Sequence, residues 1–91
     1  MINTGDIVIS IKGHDRGEYY LVLDCDKDFV YLADGRLKLI EKPKKKNKKH
    51  VSRLGKSKEF IDMKNNDDNF NDVKLKYLLK NWRNRCLNQT L

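Results

Sequence analysis

A chain of 91 residues has room for one domain with a modest core. Its hydrophobic share is 38% and its charged share 36%, which is enough to fold, while no window approaches the roughly 18 to 20 apolar residues of a membrane span. The formal net charge of +7 is unevenly placed: residues 36–58 hold eleven basic side chains against one acid, Glu41, and the rest of the chain holds nine basic against twelve acidic. A basic segment of this density points to a polyanionic partner.

In chain order, residues 5–40 read as β-structure, because short β-branched and aromatic runs alternate with turn residues. The first strand is expected from Ile7 to Lys12, ending at Gly13-His14-Asp15-Arg16-Gly17, where two glycines flank polar residues suited to a tight turn. A second strand follows from Glu18 to Leu23, then an acidic turn containing Asp24, Asp26 and Asp28, then a third strand from Phe29 to Ala33. Asp34-Gly35 between apolar runs is a strong hairpin signal, which predicts a returning strand from Arg36 to Ile40. The inward face of the first strand stays open, since Val8 opposes Ile7, Ile9 and Ile11.

Pro43 ends this region, and the lysine block that follows it repels itself and is expected to form a mobile arm. Residues 51–71 are mixed, with Phe60, Ile61 and Met63 in one short helical turn and a linker at the Asn/Asp cluster of residues 65–69. From about Asp72 to Leu87 an amphipathic helix is expected, because Leu75, Leu78, Leu79, Trp82 and Cys86 recur every three or four residues. Asn71 or Asp72 is placed to cap it. The other face carries Lys74, Lys76, Lys80, Arg83 and Arg85.

The run from Gly5 to Leu23, with its Gly-Asp opening, alternating apolar residues, Gly-x-x-x-Gly loop and following apolar strand, resembles a KOW motif. Through Ala33-Asp34-Gly35 and on to the Lys42–His50 block, the pattern is similar to small bacterial KOW-domain proteins related to eukaryotic-type large-subunit ribosomal proteins. That resemblance spans about half the chain and implies an SH3-like barrel that binds RNA, usually ribosomal RNA, with the glycine loop near it. Tyr19 and Tyr20 stand where many KOW sequences carry a further glycine.

The expected fold is therefore mainly β: a small SH3-like (KOW) barrel in residues 1–43, a basic arm in residues 44–58, and a linker with a C-terminal α-helix in residues 59–91. The expected RNA contacts are Lys12, His14 and Arg16 on the loop, then Arg36, Lys38, Lys42, Lys44, Lys45, Lys46, Lys48, Lys49, His50 and Arg53. Cations on phosphates release condensed counterions and so supply affinity without reading sequence. Tyr19, Tyr20, Phe29 and Tyr31 are read first as core residues and second as base-stacking surfaces.

Leu75, Leu78, Leu79 and Trp82 are read as packing on the barrel, and the rival reading is a protein-interaction adaptor whose barrel edge and C-terminal helix bind a transcription or translation factor or a ribosomal protein. Nothing calls for catalysis, a metal or a cofactor: His14 and His50 lack ligand spacing to Cys25 and Cys86, and no nucleophile elbow or phosphate loop is present. The two distant cysteines, without a Cys-x-x-Cys pair or an apolar leader, are expected as reduced thiols in a cytoplasmic protein.

Overall fold

The computed structural model describes residues 1–65 and 70–88 of the chain. Five strands make one antiparallel sheet: β1 (Asp6–Ser10), β2 (Tyr19–Cys25), β3 (Phe29–Ala33), β4 (Lys44–Asn47) and β5 (Val51–Lys56). Their order is β4-β3-β2-β1-β5. Two helices follow, α1 (Lys58–Asn65) and α2 (Asp72–Asn88). The class is mainly β, as the alternating apolar runs predict.

The edge strands β4 and β5 are joined by a single three-residue 3-10 helix, Lys48–His50. A flat five-stranded sheet would hold its edges about 19 Å apart at ~4.8 Å per strand, whereas three residues of 3-10 helix rise only about 6 Å. The sheet must therefore roll. Register irregularities between Ile7 and Val8 on β1, and between Val22 and Asp24 on β2, are sites where the strands bend. Among the described residues the roll does not close into a barrel, since β4 pairs only with β3 and β5 only with β1.

Rolling leaves two apolar faces, and both are covered. Inside lie Val8, Tyr20, Val22, Val30, Leu32 and Val51. Outside, Ile7, Leu21 and Ala33 pack beneath Phe60 of α1 and Leu75, Leu78 and Leu79 of α2. The pairing register keeps the faces apart, with Val8 opposite Tyr20 on one and Ile7 opposite Leu21 on the other. The ambiguity of the first strand is thus resolved by its being buried on both sides.

Three expectations are corrected. Residues 36–40 are not a strand. The Asp34 carboxylate accepts from the amides of Arg36 and Lys38, both at 2.9 Å, and curls the segment into a side-chain-bridged turn. Gly35 sits there at φ 78°, so close to α2 that a Cβ would collide with the Asp72 carbonyl. Leu37, 78% exposed, faces solvent.

The lysine block is not a mobile arm either. Lys44–Asn47 is β4, in register with β3 from Phe29↔Asn47 to Leu32↔Lys44. Strand alternation divides its charges between two faces, which removes much of the repulsion that a contiguous run would suffer. Residues 51–56, expected to be mixed, form β5, whose polar outer edge hides its strand character from a hydrophobicity reading. The segment therefore belongs to the sheet.

The helix expected from about Asp72 to Leu87 is met by α2, whereas α1 runs to eight residues where one short turn is expected around Phe60, Ile61 and Met63. Ser57 caps α1, its Oγ accepting from the Phe60 amide at 3.2 Å. Asn71 caps α2 through the Lys74 amide at 2.9 Å, and the Asp72 carboxylate accepts from the Ile40 amide at 2.9 Å, tying the helix start to the 34–43 loop. The expected linker lies outside the described residues except for Asn65, the last residue of α1.

Candidate nucleic-acid interface

The loop between β1 and β2 is built around Asp15. Gly13 and Gly17 take φ of 92° and 93°, a region side chains rarely adopt, which lets the chain double back. The Gly17 amide then donates to the Ser10 carbonyl and the Glu18 amide to the Asp15 carbonyl, both at 2.9 Å. In this conformation the Asp15 carboxylate accepts from Ser10 Oγ at 2.8 Å, Tyr20 OH at 2.9 Å, Lys44 Nζ at 2.9 Å and Lys46 Nζ at 2.6 Å.

Partial burial alone would raise the Asp15 pKa. The hydrogen bonds from Lys46, Lys44, Ser10 and Tyr20 outweigh it and hold the carboxyl well below the usual carboxylate range. Tyr20 shifts the other way, its phenol kept neutral by burial and by the Asp15 charge. Lys46, only 9% exposed, also donates to the Lys12 carbonyl at 2.8 Å. Asp15 thus welds the glycine loop to β4 across the mouth of the inner core.

The thirteen basic residues expected to meet RNA fall into distinct groups. Lys44 and Lys46 are held by Asp15. Arg53 donates through Nε at 2.9 Å to Asp6, a carboxylate buried to 1% exposure. Lys12, His14 and Arg16 are exposed on the loop, and Lys42, Lys49 and Arg36 are exposed elsewhere. Lys45 is exposed too, on the opposite face of β4 from Lys44 and Lys46, with its ammonium 4.3 Å from the centre of the Phe29 ring.

Lys38, Lys48 and His50 are half-buried. The His50 carbonyl accepts from the Ile11 amide at 2.9 Å, which ties the 3-10 helix to the root of the glycine loop. The structure therefore brings the loop and the lysine segment together, but leaves Arg36 and Lys38 on the 34–43 loop beside α2. An acidic element lies near Lys45: Asp26 is held below its ordinary range by the backbone amides of Phe29 and Asp28, and the Lys48 amide donates to the Asp28 carbonyl.

Tyr20 is buried, and Tyr19 packs partly against the outer core with the Arg83 guanidinium 5.5 Å from its ring centre. Tyr31 donates to Asp26 at 3.2 Å. The helical stripe is committed to the fold: Leu75, Leu78 and Leu79 are buried under the sheet, and Trp82 lies so tightly on Gly55 that a Cβ there would meet its ring. Of the helix residues in the rival docking reading, Leu75, Leu78 and Leu79 are thus buried and Trp82 is partly buried against the outer core.

Sequence reasoning missed Asp15 as the organising carboxylate, although a lone acid between His14 and Arg16, upstream of a lysine block, is a visible signal. It also missed a groove of about 500 Å³ between α2 and the loops facing it. The groove takes Lys76, Tyr77, Lys80 and Arg83 from α2, and Tyr19 and Arg36 from the body. Spacing of three and four along α2 puts those cations on one stripe.

Among the described residues, no group of three or more His, Cys, Asp or Glu side chains is gathered as a metal site would need. No described helix is long and apolar enough to cross a membrane. Comparison of the chain with protein-family models and with curated proteins finds no match.

Proposed function

We propose that the protein is a cytoplasmic RNA-binding module, not an enzyme, that associates with ribosomal RNA in translation or ribosome assembly. The observation that carries it is the fastening of the glycine loop to the lysine strand by Asp15. This fixes Lys12, His14 and Arg16 on a rigid rim, joined through the 3-10 helix to Lys49. A preorganised cationic rim binds phosphates without first ordering a chain, so less affinity is lost to entropy. The KOW-like loop supports RNA as the polyanion and the ribosome as its setting.

The contacts differ from those of a threaded arm. Lys44 and Lys46 serve the rim from behind, while Lys12, Arg16, Lys42, Lys45 and Lys49 are exposed and available for phosphates. If about five phosphates are neutralised, log K falls with log salt at a slope of roughly −3.5 to −4.5. Fluorescence anisotropy with a ribosomal RNA fragment across a salt series measures it. A salt-insensitive affinity, or one unchanged when those five residues are replaced by Gln, refutes the proposal.

A further inference from the structure

The groove beside α2 has a composition that the cationic rim does not share. Tyr77 is 59% exposed and lies between Lys76 and Lys80 in the chain, with all three lining the groove. Arg36 and Arg83 add charge, while Leu79, buried to 3%, closes the apolar floor. Two carboxylates, Glu18 and Asp34, also line it. Glu18 lies 4.0 Å from Arg83 and two residues along the chain from Arg16 of the rim.

An acidic peptide and a nucleotide would both gain from the cations and both be repelled by Glu18 and Asp34, but a chain of acidic side chains offers no flat face for the exposed ring and no donor for the two carboxylates. A nucleotide uses all three kinds of group. Its base has a π-face that stacks on tyrosine, its exocyclic amines donate to carboxylates, and its phosphates pair with lysine. A base inside a duplex hides its face in the stack, so only an unpaired one can enter. The volume of about 500 Å³ is that of a small-ligand pocket.

We propose that this groove seats an unpaired nucleotide of the bound RNA, its base stacked on Tyr77 and its flanking phosphates against Lys76 and Lys80. The assignment rests on the RNA-binding reading above and adds a single-strand site that the rim lacks. It makes the protein a reader of junctions, where a paired segment lies on the rim and a looped-out nucleotide enters the groove.

The test uses the full chain with two fluorescent probes at low salt, a single-stranded RNA hexanucleotide and a blunt RNA duplex. Tyr77→Ala weakens hexanucleotide binding by about 5- to 150-fold, the usual range for loss of one stacking ring. Tyr77→Phe retains it, and duplex binding changes by less than about 2-fold because the rim is untouched. Lys76→Gln with Lys80→Gln lowers the hexanucleotide salt slope by roughly 1.4. Tyr77 is exposed, and alanine is the better helix former, so the variant keeps its fold.

If Tyr77→Ala binds the hexanucleotide like wild type, the groove is not the seat, although RNA binding through the rim stands. If wild type binds neither probe, both proposals fall. A hexaglutamate peptide that binds wild type more tightly than the hexanucleotide does, and loses that binding when Lys76→Gln is combined with Lys80→Gln, also overturns the nucleotide assignment.

Discussion

Asp15 carries more of the architecture than its place in a polar turn suggests. Its carboxylate satisfies a buried ammonium, a second ammonium, a serine and a tyrosine, so losing the charge leaves Lys46 in a desolvated position with the Lys12 carbonyl as its other acceptor. Asp15→Asn should destabilise the fold by about 2 kcal/mol or more, read from the denaturation midpoint. The pH dependence has a definite sign. Because the folded carboxyl is depressed from 3.8, the unfolded chain binds the proton first, and stability falls as pH drops below about that value. Asp15→Asn should flatten the acid limb of the stability curve; an unaltered limb would show that another carboxylate governs it.

At the scale of elements, β4 and α2 show how context overrides local pattern. Lysines are poor strand formers, yet β4 forms because β3 offers a ladder and Asp15 answers two of its three lysines. As an edge strand rich in lysine, it also resists pairing with another copy. Helix α2 gains its stability from packing on the outer face of the sheet, since an isolated seventeen-residue helix is only marginal in water. Leu75→Ala, at a fully buried position, should cost about 2 to 5 kcal/mol. Gly35→Ala should destabilise the same contact by collision with the start of α2 and by its positive φ, measured again in denaturant.

For the molecule as a whole, the net charge divides by role rather than by residue type. The lysines that hold the roll together and those that face solvent alternate within one four-residue strand. A paired comparison should separate them. Lys44→Gln with Lys46→Gln should lower the melting temperature, because it strips Asp15 of both cations. Lys45→Gln with Lys49→Gln should leave the melting temperature within a few degrees and weaken RNA binding, by roughly 1.4 to 1.8 in the salt slope. Equal effects of the two pairs on affinity at constant stability would mean that Lys44 and Lys46 reach the ligand themselves.

Much of the local structure was legible in the chain. The third strand runs from Phe29 to Ala33 as the β-branched and aromatic run predicts, and α2 follows its leucine spacing and Asn71 cap, because these signals depend on neighbours within one or two turns. The cationic rim residues were also legible, since charge and glycine spacing are properties of the sequence itself. What tertiary structure decided were the pairings across long separations. Asp15 meets Lys46 thirty-one residues away, and Asp72 meets Ile40 thirty-two residues away. Such contacts exist only once the sheet has rolled, and they turned the lysine block from an arm into a strand and the Asp34-Gly35 hairpin into a loop seated on α2.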